Sequence, residues 1–399
     1  MNEKEFGTLY RFELRKLMRR PLYLVTLGTC LALIVLGLIS PMLLHEYAEE
    51  RLLDLRYRKE LSGRMLDQSM LEEMSAGYRS IPADAEIWSE TEEFRQNARP
   101  YRAIFNLARL WLSTDSDGVV AWQPSEEAFY AAREKRVTDR WDDLYLTDAE
   151  KAFWRAQEDA LQTPFRYEDH SAWDEMQNLL RTIGVLMMVF ELVTLAGLFP
   201  DEHVRRTDQL ILSSYNGRTV LYGAKAAAGI TAAVLGAALM AALCTGIALA
   251  MYSTQGFDAP IQIVYGNSLL CISAPLTVGQ AALLEWASLM AAAVVWAAFV
   301  MLLSELLHGA VAAMGISTAL VLAGMMLNLP ERWRVLAQLW DWLPSSFLAV
   351  WNVFDVRTLP LGSVCLPAWQ VVPVLYLLAA ALLTAGGWTL YRRYQVSGR

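Results

Sequence analysis

Six long apolar stretches, Leu22 to Leu44, Leu179 to Phe199, Val220 to Met251, Gln280 to Leu307, Gly309 to Leu329 and Val371 to Tyr391, constrain this chain more than any other feature. A hydrocarbon core about 30 Å thick needs about 20 residues of helix. Each stretch supplies 21 to 32 residues with very few charges. The chain therefore reads as an all-α membrane protein with six transmembrane helices, and its function belongs with what crosses, docks on or signals through a bilayer.

One polar segment is large enough to fold by itself. His45 to Glu175 carries 29 Asp/Glu against 17 Lys/Arg, a net charge of −12; the whole chain is −8, so everything else sums to +4. The acidic pI describes this one domain, and no basic tract suited to a phosphate backbone appears outside the membrane flanks, which argues against nucleic acid as a partner. The segment reads as mostly helical. Leu53, Tyr57, Leu61 and Met65 form an i, i+4 row followed by Met70 and Met74, and further helices are expected over Ala85 to Leu112, Ser125 to Trp141 and Asp148 to Gln162. Ile81-Pro82-Ala83, the Ser113 to Gly118 cluster and Thr163-Pro164 are turn chemistry. The acidic excess reads as a solvated face, since no Asp-x-Asp ligand loop with a closing Glu is present.

Orientation follows from Lys and Arg beside the spans, which are retained in the cytoplasm. Residues 1–20 hold Lys4, Arg11, Arg15, Lys16, Arg19 and Arg20; the turn after the second span holds Arg205, Arg206 and Arg218, with Lys225 opening the third; the chain ends with Arg392, Arg393 and Arg399. Residues 252–281 contain no Lys or Arg. Both termini are therefore expected in the cytoplasm. The expected order is an amphipathic elbow helix (1–21), a first span (22–44), an extracytoplasmic helical domain (45–178), a second span (179–199), a cytoplasmic loop (200–219), a third span (220–251), an outer loop (252–279), fourth and fifth spans (280–307, 309–329), an outer or interfacial segment (330–370), a sixth span (371–391) and a cytoplasmic tail (392–399). Arg332, Arg334 and Arg357 run against this placement. Trp333, Leu336, Leu339, Trp340, Trp342 and Leu343 supply a Trp-rich apolar face that puts them on an interfacial helix.

The first apolar run is 23 residues long and lacks an A-x-A cleavage pattern after it, so it reads as an uncleaved span rather than a signal peptide. Before it, Phe6, Leu9, Tyr10, Leu14, Leu17 and Met18 recur at helical spacing while Arg11, Arg15, Lys16, Arg19 and Arg20 fill the other face. That is a membrane-interface helix, either a basic anchor on anionic lipid or an elbow that also touches a cytoplasmic partner.

The inventory of chemistry is thin. No Gly-Lys dipeptide exists, which excludes a phosphate-cradling G-x-x-x-x-G-K loop. His45, His170, His203 and His308 are isolated, and the four cysteines, at 30, 244, 271 and 365, show no C-x-x-C spacing, so no metal or redox centre is expected. Cys271 and Cys365 both fall in predicted outer loops, where a disulfide stays open. Gly315-Ile316-Ser317 near His308 is better explained by helix packing than by an intramembrane serine protease. Glu191 lies midway along the second span, where it must be protonated, paired or water-facing. A polar contact with Thr194 or a neighbouring helix is preferred to a proton-coupled step, because one carboxylate is not a relay. No residue is assigned a catalytic role.

The most specific local signal follows the second span. Asp201-Glu202-His203-Val204-Arg205-Arg206-Thr207-Asp208-Gln209-Leu210-Ile211-Leu212-Ser213-Ser214-Tyr215-Asn216-Gly217-Arg218, then Lys225, places acidic residues first, an apolar patch in the middle and basic residues after a turn. This stretch resembles the hallmark of type-2 ABC exporter permeases: Thr207, Leu210, Leu212, Ser213, Ser214, Arg218 and Lys225 match its pattern and Glu202 takes its acidic position. Tyr215-Asn216 and Arg206 depart from it, standing where many relatives have Pro and Gly. The basic N-terminal helix, the six spans and the cytoplasmic termini are similar to that family's layout too, whereas Glu46 to Glu175 matches nothing in it.

The resemblance implies the transmembrane subunit of a bacterial plasma-membrane exporter. Two permease subunits would pair, as a homodimer or a heterodimer, and separate ABC ATPase subunits would dock below them and use the ATP, this chain binding no cofactor and being no enzyme. The elbow helix and the loop with Glu202, Arg205, Arg206, Thr207, Asp208, Arg218 and Lys225 would then form the ATPase-coupling surface. The alternative is a membrane-anchored sensor or scaffold that binds a peptide or envelope component through the outer domain. A secondary transporter is disfavoured by the absence of an inverted repeat and of a second mid-span carboxylate.

Overall fold

The computed structural model describes residues 3–43, 45–82, 84, 87–200, 202, 220–264, 272–362 and 364–393. Helix α1 (Glu3–Met18) is followed by a short turn in which Arg20 N donates to Leu17 O at 3.1 Å, and Pro21 then opens α2 (Pro21–Leu43) where its missing N–H is no loss. The domain inserted after α2 comprises α3 (His45–Leu61), α4 (Gln68–Arg79), α5 (Arg102–Trp111), α6 (Ser116–Ala121), α7 (Glu126–Asp143) and α8 (Asp148–Glu158). Local chemistry sets four of these starts: Asp67, Asp115, Ser125 and Thr147 cap α4, α6, α7 and α8, each accepting from the N–H three residues on.

Three expectations for this domain need correction. The helix over Ala85 to Leu112 is not continuous: short turns at Trp88–Glu90, Phe94–Ala98 and Arg99–Tyr101 precede α5, because Pro100 removes an N–H from the ladder. The Ser113 to Gly118 cluster is not only a turn, since Asp115 starts α6 through a 2.8 Å bond from Gly118 N. The Leu53 to Met65 row stops at Leu61, where Gly63 takes φ +91° and Met65 leaves the helix to pair with Arg166 in an isolated antiparallel bridge.

Among the described residues five helices are long and apolar enough to cross a membrane: α2, α9 (Ser171–Leu195), α10 (Val220–Met251), α11 (Val278–Leu307) and α16 (Ala368–Arg393). The sixth expected span is broken. Helix α12 (Ala310–Met326) stops ahead of Pro330, and the chain bends by 118° into Glu331–Asp341, which contains α13 (Arg334–Asp341). Two short helices, α14 (Pro344–Phe347) and α15 (Val350–Val353), and a hairpin of β1 (Leu359–Leu361) with β2 (Val364–Leu366) lead to α16. On α13, Val335, Leu336 and Leu339 are exposed while Ala337 and Gln338 face inward, as an interfacial helix requires. Helix α9 starts eight residues earlier than the apolar run that marked it, and this carries Asp174 and Glu175 onto a spanning helix.

Helices α9, α10 and α11 pack at the centre, and α16 lies along α11. Small residues let them approach: a Cβ at Gly236 would collide with the Phe190 ring, and one at Gly387 with the Tyr222 hydroxyl. At one end of the bundle the inserted domain is tied to the other connections on its side. Trp154 Nε1 donates to Val356 O at 2.6 Å, Arg133 Nη2 to Ile272 O at 3.3 Å and Trp173 Nε1 to Gln255 O at 2.8 Å. Residues 252–264, 272–277, 330–362 and 364–367 therefore share one side of any bilayer with the inserted domain. Two of the three arginines that ran against the charge rule are neutralised there: Arg334 by Glu150, and Arg357 by Asp341 and Asp355; Arg332 lies over the Trp333 ring.

Candidate functional site

The opposite end of the bundle collects α1, the last turn of α9, the first turns of α10 and the last turn of α16. Helix α1 lies along α10, with Tyr10 Oη donating to Thr231 Oγ1 at 3.1 Å and Leu17 fully buried. Phe6, Leu9, Tyr10, Leu14 and Met18 complete the inward face, while Arg11, Arg15, Lys16 and Arg19 are exposed and Arg20 is half-buried. The amphipathic pattern is thus realised against protein, leaving Arg11, Arg15 and Arg19 exposed on the other face. Phe12 also points outward, and Glu13 points inward, where Lys16 pairs with it at 3.2 Å.

Of the seven residues expected to form the coupling surface, two are brought together here. Lys225, on the second turn of α10, is completely buried and ion-paired with Glu202, and its ammonium also lies 5.5 Å from the centre of the Phe199 ring. Phe199, Tyr222 and Tyr391 stack around the pair, with Phe199 and Tyr222 rings 5.3 Å apart and Tyr222 and Tyr391 5.5 Å apart. Arg205, Arg206, Thr207, Asp208 and Arg218 lie outside the described residues. Lys225 is therefore structural cement at the root of the loop rather than an exposed contact, a distinction that its place in the motif could not convey.

Glu191 is fully buried in α9, and neither carboxyl oxygen has a hydrogen-bond partner among the described residues. Of the two contacts expected, with Thr194 or with a neighbouring helix, the carboxyl makes neither a hydrogen bond to Thr194, whose hydroxyl donates to the backbone carbonyls of Phe190 at 2.7 Å and Glu191 at 3.4 Å, nor one to another helix among the described residues. Glu285 and Glu305, near the two ends of α11, are buried as well. Cys30 and Cys244 are buried free thiols, as packing residues would be, and Cys271 lies outside the described residues. Among the described residues no three His, Cys, Asp or Glu side chains gather to hold a metal ion.

Sequence patterning missed a second charged place, a cavity of about 400 Å³ where α3 and α5 meet the start of α9 and the end of α10. Arg51 pairs with Glu175, Arg58 reaches Asp174 at 3.4 Å, and Arg99 and Arg102 share Asp54 at 2.8 and 3.1 Å. These pairings span up to 124 positions, so no local motif announces them.

The fold and its charge placement define a multi-pass α-helical membrane protein. Compared with known protein families, curated proteins and solved structures, the chain matches none.

Proposed function

We propose that this chain is the permease subunit of a bacterial ATP-binding cassette exporter, working as one of a pair of membrane subunits above separate ATPase subunits. The observation that carries the reading is the placement of α1 along α10 beside the Glu202–Lys225 pair. The basic elbow helix and both roots of the 203–219 connection share one end of the bundle, away from the inserted domain. A partner pressing on that end would move α1, α9 and α10 together, because Glu202 and Lys225 bind the end of α9 to α10 and Tyr10 binds α1 to it. Helices α9 and α11, packed along their lengths, would carry the movement to the far side. ATP hydrolysis belongs to the partner; this chain supplies a path and a lever.

The test is affinity purification of the tagged full chain in mild detergent, with mass spectrometry and an ATPase assay of the eluate. A stoichiometric P-loop ATPase, lost when Arg205, Arg206 and Arg218 are reversed to Glu while the melting temperature holds, is the expected result. Recovery of the chain with envelope components and no ATPase would favour the sensor or scaffold reading.

A further inference from the structure

His170, the last residue before α9, is 1% exposed and stands between two parts of the molecule. The chain ahead of it is bonded into the inserted domain: Gly63 N donates to Tyr167 O, Tyr167 N to Arg64 O and Leu66 N to Phe165 O, each at 2.8 Å. The chain after it is the first turn of α9, where Trp173 N and Asp174 N both donate to His170 O at 3.0 Å. The ring reaches to both sides. Its Nδ1 lies 2.9 Å from Glu168 O, and its Nε2, with no other partner among the described residues, lies 3.4 Å from Asp174 Oδ2. Both facing atoms are acceptors. A neutral imidazole has one N–H to give, and its other nitrogen presents a lone pair. With Nδ1–H given to Glu168 O, the lone pair of Nε2 is turned on a carboxylate. Only the imidazolium donates to both.

The charges around the ring agree. On its own segment, Glu168 pairs with Arg166 at 3.4 Å and the Tyr167 ring stands edge-on to the imidazole. The buried Asp169 carboxylate makes no ion pair among the described residues; one oxygen accepts from Ser171 and the other has no hydrogen bond. From α9, Asp174 faces Nε2 and Glu175 pairs with Arg51. From α3, Arg58 reaches Asp174 at 3.4 Å and Ser171 Oγ at 3.1 Å. Residues 252–258 pack Gly256 on the His170 backbone, and Asp258, their one charged residue, is exposed. Two carboxylates, Asp169 and Asp174, thus stand against one guanidinium, and a charged ring completes the balance.

We propose that His170 is a pH-sensitive clasp: protonated, it ties the end of the inserted domain to the first turn of α9 through Glu168 O and Asp174, and on losing its proton it releases one of them. Histidine changes charge between about pH 5 and 8, so the hold is firm in acid and slackens as pH rises through that range. The clasp is independent of what the protein transports or senses.

Hydrogen exchange of the full-length protein in detergent, corrected for the intrinsic pH dependence of the reaction, tests this over about pH 5 to 8, above the range in which Glu73 titrates. Peptides covering residues 168–176 should be about tenfold better protected at the acid end, the worth of about one charge-assisted hydrogen bond. His170→Gln should abolish that step. Asp174→Asn should do the same, because its amide donates to the neutral ring and keeps the bridge at every pH. His308→Gln, at an exposed position, should leave the step intact. The ring itself supplies a readout that needs no variant: with the 4 histidines carrying 13C in their rings, one signal should titrate in step with the exchange. Protection that does not change across the range, a step that survives in either variant, or ring signals that all titrate out of step with it would overturn the proposal.

Discussion

Lys225, without any exposed surface, is held by the carboxylate of Glu202 across the connection between α9 and α10. Breaking a buried ion pair strands a charge, which costs about 3 kcal/mol or more, while replacing both partners with apolar or neutral groups costs far less. Lys225→Met and Glu202→Gln should therefore each lower the unfolding free energy of the purified protein by about 3 kcal/mol, and the double variant should fall short of their sum by about 2 kcal/mol. Denaturant unfolding in detergent measures all four corners of the cycle. Strictly additive losses would remove the pair from the foundations of this end of the bundle.

Glu150 makes the corresponding link at the domain end. Only 1% exposed, it accepts from Arg334 Nη2 at 2.6 Å, Thr147 N at 2.8 Å and Thr358 N at 2.8 Å. Burial pushes this carboxyl up, but the Arg334 guanidinium and the Thr147 and Thr358 donors outweigh it and hold it below the ordinary range. Glu150→Ala should cost about 3 kcal/mol by leaving Arg334 and the two N–H groups without their acceptor. Hydrogen exchange at residues 356–358 should rise with it, since the inserted domain loses its hold on that segment. Unchanged exchange there would mean that Trp154 alone maintains the contact.

Much of this architecture could be read in the sequence, and the missing part is instructive. Segment Val220 to Met251 is helical throughout, since a long apolar run leaves no other way to satisfy its backbone in lipid. The early start of α9 was hidden because Asp174, Glu175 and Gln177 break the apolar pattern; they face protein and a cavity rather than lipid, and hydropathy cannot tell those surroundings apart. The Thr147-Asp148-Ala149-Glu150 capping box was written in the chain, and it fixes the first turn of α8. Its second duty, toward Arg334 and Thr358, joins residues 184 and 208 positions away, a distance over which local periodicity is silent. For the same reason the elbow helix was legible and its seat on α10 was not.

Acid should weaken the inserted domain through Glu73. The Arg64 guanidinium grips this carboxylate at 2.8 and 2.9 Å and the Tyr101 hydroxyl at 2.6 Å, which together hold its pKa down to about 2. A carboxylate whose folded pKa is depressed contributes stability that is complete above its unfolded value, near 4.5, and is lost as pH falls toward 2. Tryptophan-detected denaturation of the full protein should show this fall between those two values, and Glu73→Gln should flatten it while lowering stability at neutral pH. A variant with the same acid slope as the unchanged protein would place the acid sensitivity elsewhere.

Glu191 is the buried carboxyl with nothing to gain from staying. Thr194, one turn along, spends its hydroxyl on Phe190 O, and both oxygens of Glu191 lack a hydrogen-bond partner among the described residues. An unpaired polar group in such a place costs about 1–3 kcal/mol, and an apolar residue of similar volume recovers part of that by packing against the helices around it. Glu191→Leu should therefore raise the melting temperature of the isolated subunit, with Glu191→Gln close to the unchanged protein. A leucine variant that melts lower would show that the carboxyl has a partner after all. A variant that melts higher and transports less would mean that the unpaired state is kept for work rather than for the fold, and would make Glu191 the place to look for a step in which α9 changes its neighbours.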